Sequence, residues 1–202
     1  MRTVGDLISG NPELNNYGFL YERDTPISEV SCSIGKAIFV AQEIFSLATT
    51  LYMANLLFKL SGEGAAKFLG WSITIGFGSG SMYAQSLRQD FYRPETDLPS
   101  YYQSFLQKMK NKGELWAASK PIYKALQILK GPVLTGAVFT ARCYLALNGK
   151  CMPLNTLVTG LFLLYYSFRA GCLTTEKLIL GARKVHATIA PQFTALKNRF
   201  AL

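Results

Sequence analysis

Patterned cysteine and histidine are almost missing from this chain. Among 202 residues there is one histidine, His186, and the four cysteines Cys32, Cys143, Cys151 and Cys172 form no Cys-x-x-Cys pair. That excludes a legible metal-ligand cluster or thiol redox pair, and the cysteines read as small buried apolar residues. With His186 remote from any serine or cysteine motif, no acid, base and nucleophile can be assembled, so neither catalytic nor cofactor-binding residues are expected. Asn-x-Ser/Thr sequons are absent too. The opening MRTVGDLISGNPELNNYG lacks the charged-then-apolar order of a secretory signal, and its acidic residues argue against a transit peptide.

Charge is also scarce. Charged residues make up 16% of the chain against 50% apolar, whereas soluble proteins carry roughly a quarter charged residues. A mean hydropathy of +0.17 is nevertheless low for a protein lying almost wholly in a membrane. The expectation is short spans with wet or interfacial tails.

The glycine-rich stretch GWSITIGFGSGS invites comparison with a phosphate-cradling loop, but Gly-x-Gly-x-x-Gly is not completed, no strand precedes it and no Gly-Lys-Ser/Thr ends it. A nucleophile elbow would need serine where Gly78 stands. At helical spacing the stretch makes better sense. Ser72, Gly76, Gly80 and Ala84 recur every fourth residue, a small-residue ridge along which another helix backbone can approach closely.

Four apolar segments carry the fold: about 37–60, 65–87, 132–147 and 154–173. Short connections at 61–64 and 148–153 force antiparallel neighbours, giving two helical hairpins. The third segment is short and contains Arg142, but residues 117–131 are helix-compatible, so Pro132 can sit as a kink inside one longer helix. The predicted fold class is therefore all-α, an integral membrane protein with about four transmembrane or membrane-inserted helices. Its organisation is an acidic, partly extended arm (1–32), hairpin 1 (33–88), a basic linker with an amphipathic helix (89–116), hairpin 2 (117–175) and a basic amphipathic tail (176–202).

In the linker, Tyr101, Phe105 and Met109 form an apolar stripe while Lys108, Lys110 and Lys112 fall mostly off it. In the tail, Leu178, Ala182, Val185, Ile189, Phe193, Leu196 and Phe200 repeat the pattern, with Arg183 and Lys184 beside them and Pro191 expected to interrupt. A basic amphipathic helix lying on anionic lipid looks like this, as does a surface helix of a soluble protein or one packed on a partner. The net charge of +9 is concentrated in the linker and tail, beside segments of near-spanning length. Anionic headgroups explain that adjacency better than nucleic acid does.

Polar groups inside the segments are the remaining candidates: Glu43, Asn55, Arg142 and Arg169. Counting rise along the helices puts Glu43 and Arg169 at similar depth near the tail side, which makes them the plausible ion pair, with Asn55 and Arg142 toward the opposite face. Taken together, the arm, linker and tail hold most of the Lys and Arg, against Lys59, Lys67 and Lys150 at the short loops. That bias puts the tails on the cytoplasmic, matrix or stromal side. The expected function is a non-catalytic structural or accessory subunit of a membrane assembly, with lipids and other membrane subunits as partners and no nucleic acid. A transporter or channel component, a membrane-remodelling scaffold, a secreted membrane-inserting protein and a soluble helical bundle remain alternatives.

Overall fold

The computed structural model describes residues 28–87 and 100–200, with side chains described through residue 191. Residues 1–27 of the acidic arm, Arg88, Arg93 and the side chains of Phe193, Leu196 and Phe200 lie outside the described set.

Every element among the described residues is helical: α1 (Glu29–Leu60), α2 (Glu63–Leu87), α3 (Tyr101–Ala118), α4 (Pro121–Leu129), a π turn (Lys130–Thr135), α5 (Gly136–Leu147) and α6 (Met152–Phe200). α4, the π turn and α5 follow one another without a break, so residues 121–147 form a single rod with a wider turn at its middle. Pro132 explains that turn. A proline in a helix interior has no N–H to donate and its ring collides with the carbonyl four residues earlier, here Ile128. Widening the turn relieves the collision while the helix continues.

Two of these helices are long and apolar enough to cross a membrane: α1, and α6 from Met152 to Pro191. α1, with 32 residues, is about 48 Å long at a rise of 1.5 Å per residue.

α6 departs from the expected organisation. It runs 49 residues without interruption, so neither the boundary drawn at 175/176 nor Pro191 ends a helix. Leu178, Val185 and Ile189 fit one apolar stripe whether or not the helix stops, and a proline nine residues before the helix end forfeits one hydrogen bond without undoing the turns on either side. The boundary at 116/117 likewise falls inside α3, which ends at Ala118.

Tight turns set the connections. α1 stops at Ser61, whose N–H still donates to Leu57 O at 2.8 Å, and only Ser61 and Gly62 separate it from α2. After α5, Gly149 takes φ +65°. Its N–H donates to Ala146 O at 3.0 Å, and Lys150 N–H donates to Leu145 O at 2.8 Å. Those are the two bonds of a Schellman stop, which needs a left-handed residue at this position and so favours glycine.

The chain divides into two compact units, which do not follow the hairpins. Of the described residues, the first comprises 28–69 together with 104–160, and the second comprises 70–87 and 100–103 together with 161–200. In the first unit Met53, Ala54, Leu57, Ala118 and Ala146 are buried. There Tyr52 meets Phe139 edge to face with ring centroids 5.5 Å apart, and Cys143 Sγ lies 3.4 Å from Met53 Sδ. In the second, Leu163 and Cys172 are buried, Cys172 beside Gly80 of α2.

Candidate functional site

The second unit is organised by the line of small residues on α2. Ser72, Gly76, Gly80 and Ala84 are all buried, and Gly76 and Gly80 lie against the backbone of α6. A Cβ built on Gly76 would stand 2.5 Å from Leu164 O, and one on Gly80 would collide with Phe168 O. The approach is mutual, since a Cβ on Gly171 would collide with Phe77 O. Cys172 Sγ, fully buried, lies 3.3 Å from Gly80 O. The remaining faces of α2 expose Trp71, Ile73, Ile75, Phe77 and Met82. Its hydroxyls are satisfied within the helix: Thr74 donates to Gly70 O at 3.2 Å and Ser79 to Ile75 O at 2.7 Å.

The first unit repeats this inversion with a charged group. Arg142 Nε donates to Asn155 Oδ1 at 3.1 Å, while Nη2 donates to Asn155 O at 3.1 Å and to Thr159 Oγ1 at 2.6 Å. Asn155 and Thr159 are buried, and no carboxylate pairs with Arg142 among the described residues. Around this polar knot Val138, Tyr144, Leu147, Leu154 and Leu157 are exposed.

The other polar candidates are distributed differently. Asn55 is exposed on α1. Glu43 is half-buried in the first unit, whereas Arg169 is half-buried in the second, so the pairing expected of them joins residues of different units. Arg169 Nη1 donates to Tyr165 Oη at 3.2 Å, and its guanidinium lies 5.4 Å from the centroid of that ring. Among the basic candidates, Lys108, Lys110, Lys112 and Lys184 are exposed and Arg183 is half-buried. Tyr101, Phe105 and Met109 of α3 are half-buried, giving that helix an inner apolar stripe.

Sequence reasoning passed over the most deeply buried acid, Glu176. Glu176, on α6, is 2% exposed and caps α3 from outside that helix. Ser100 Oγ donates to Glu176 Oε1, Tyr102 N–H donates to Glu176 Oε2 at 2.8 Å, and Gln103 N–H donates to Ser100 Oγ at 3.1 Å. Two of the N–H groups that a helix start leaves free are thus satisfied, and a negative charge sits at the positive end of the helix dipole. Beside it, burial holds the Tyr101 phenol above its ordinary value, against the lowering influence of the Arg169 guanidinium. One sequence signal was available. After Asp97 the only acidic residues are Glu114 and Glu176, and both are buried.

A cleft of about 600 Å³ opens in the first unit where α1, α3, α4 and the π turn meet. It lies next to a crossing of glycines: a Cβ on Gly35 would stand 3.0 Å from Gly113 O, and one on Gly113 would stand 2.6 Å from Cys32 O. Gln42 of α1 donates from Nε2 to Gln127 O at 2.7 Å, and its side chain lies where a Cβ on Gly131 would otherwise be. The end of α4, just before the wider turn, is thereby joined to α1 by a side-chain bond.

No group of three or more His, Cys, Asp or Glu suited to a metal occurs among the described residues. Compared with family models, with curated proteins and with solved structures, the chain matches none.

Proposed function

We propose that this chain is an integral membrane protein acting as a non-catalytic structural or accessory subunit of a larger membrane assembly. One observation carries the reading: beside a small apolar core that includes Met53, Leu57 and Leu69, much of the interior is small or polar and much of the exterior is large and apolar. Small and polar side chains, Ser72, Gly76, Gly80, Asn155 and Thr159, are inside, while Trp71, Ile75, Phe77, Tyr144 and Leu161 are outside. In water the hydrophobic effect would drive the opposite arrangement, because burying a large apolar side chain contributes about 1.5 to 3 kcal/mol. In lipid that drive vanishes between helices, and close packing of small residues with internal hydrogen bonds holds them together instead.

Membrane insertion follows for all four apolar segments in this reading, with arm, linker and tail on the cytoplasmic or equivalent side. Lipid covers part of the exposed apolar surface and neighbouring subunits cover the rest, the basic linker and tail meeting anionic headgroups. Alkaline carbonate extraction of the native membrane fraction tests insertion: the chain should stay in the pellet, and release into the supernatant would refute it. Purification in a mild detergent followed by native mass spectrometry tests the accessory role. A stable complex with other membrane proteins is expected, and a chain recovered only as a monomer from every such preparation would contradict that role.

A further inference from the structure

We propose that the cleft between α1, α3 and the π turn is a binding site for an anionic phospholipid, with one acyl chain along its apolar wall and the headgroup phosphate held by Lys112 and Lys130. The inference rests on the membrane reading for the source of the ligand, whereas the site stands on the cleft itself.

At about 600 Å³ the cleft falls within the range of small-molecule sites. A two-turn helical segment with its side chains would need about 1,000 Å³, so a protein helix fits it poorly and a single hydrocarbon chain fits well. Ile38, Phe39 and Leu134 give the wall. Lys112 and Lys130 also line the cleft and are exposed, so they can bring their ammonium groups to its mouth. Among the described residues no carboxylate lines it to neutralise them. Lys124 adds a third positive charge nearby, its Nζ 5.2 Å from the Trp116 ring centroid.

Trp116, itself in the lining, points to the polar chemistry of the ligand. Its indole N–H is buried and has no hydrogen-bond partner among the described residues. A buried donor normally has a partner, and a phosphate or glycerol oxygen would supply one. The same phosphate in a zwitterionic lipid arrives with a cationic group that the lysines repel, which makes the site selective for net negative headgroups.

The chain has two tryptophans, Trp71 and Trp116, so Trp71→Phe leaves Trp116 as the single fluorescent reporter of the cleft. The full-length variant in non-ionic detergent micelles is titrated with phosphatidylglycerol carrying brominated acyl chains, and separately with the brominated phosphatidylcholine. Phosphatidylglycerol should quench Trp116 at a concentration at least about fivefold lower, the contribution expected of one lysine near a charged headgroup. Lys112→Gln with Lys130→Gln should abolish that difference while circular dichroism stays unchanged. Equal quenching by both lipids, or a preference that survives the double replacement, would overturn the site. Relief of quenching by inorganic phosphate would make free phosphate the ligand and overturn the lipid assignment. Because the assay runs in detergent, its outcome separates from carbonate extraction. A pelleted chain without lipid preference loses the site alone, and an extracted chain with lipid preference loses the membrane reading alone.

Discussion

The hydroxyl of Ser100 donates to the carboxylate of Glu176, and this contact fastens the first turn of α3 to α6 across 76 positions of sequence. Glu176 also takes the Tyr102 N–H at 2.8 Å, so its two oxygens do different work. Ser100→Ala should lower stability by about 1 kcal/mol, the usual loss of an N-cap. Glu176→Gln should cost more, about 1.5 to 3 kcal/mol, because an amide cannot accept with both arms and brings no charge to the helix start. Thermal unfolding of the two variants in detergent gives the order directly, and a glutamine variant as stable as the parent would contradict the capping role.

The glycines of α2 separate into two kinds. Gly76 and Gly80 face the α6 backbone, whereas a Cβ on Gly78 meets nothing within 4 Å. Gly78→Ala should therefore stabilise the helix, by up to about 1 kcal/mol as the glycine penalty is removed. Gly76→Leu and Gly80→Leu should instead drive α2 off α6 and lower the melting temperature or release the second unit to protease. Equal effects at Gly78 and Gly80 would show that backbone approach is not what these glycines serve.

Arg142 and Asn155 predict an asymmetry between partners. Asn155→Leu leaves the guanidinium without its amide acceptor and should cost about 3 kcal/mol or more, whereas Arg142→Met removes the charge together with the need for partners and should cost less. Combining the two should recover part of the asparagine loss. Arg142→Lys should also be impaired, because one ammonium cannot serve Asn155 Oδ1, Asn155 O and Thr159 in the fork that Arg142 uses. Urea or guanidinium unfolding in mild detergent orders the four variants, and a milder loss for Asn155→Leu than for Arg142→Met would refute the argument.

Tyr101 gives a prediction in pH. Burial raises its phenol above the ordinary tyrosine value of about 10, so the folded protein holds that proton more tightly than the unfolded chain does. The contribution to stability is present in full below the unfolded value and is lost as pH rises through the folded one. Absorbance titration at alkaline pH should show one late-ionising tyrosine that Tyr101→Phe removes. If the variant removes an early step instead, the phenol is not shielded.

Local repetition is what the sequence displays most clearly. Four small residues spaced by four read as a packing ridge without knowing the partner, because helix geometry alone puts them on one line. A kink at Pro132 is legible as a steric consequence of one ring, and the structure meets that steric demand with a widened turn. Glu176 was not legible: its partners Ser100 and Tyr102 are brought to it by the fold, and no local pattern reports that. Arg142 lies between these cases. A carboxylate is the obvious partner to seek for it, yet an amide and a hydroxyl hold it. Those partners can be reached by counting, since Arg142 stands seven residues before Gly149 and positions 155–159 follow at a comparable distance along the returning helix. Helix length was misjudged at α6 because hydropathy falls after residue 173, and a drop in hydropathy changes what a helix faces without ending it.

Burying Glu114 and Glu176 has a consequence for how copies of this protein meet. Beyond Asp97 these two carry all the side-chain negative charge; Glu176 is fully enclosed and Glu114 shows only an edge beside Lys110, while Lys108, Lys112, Lys120, Lys150, Lys177 and Lys184 are exposed. That portion of the surface therefore relies on dissolved ions for neutrality. Two such faces repel across a Debye length of about 8 Å at physiological ionic strength and about 30 Å in dilute buffer. Salt should accordingly govern self-association through these faces: low ionic strength keeps copies apart, and added salt, by screening, lets their apolar surfaces come together.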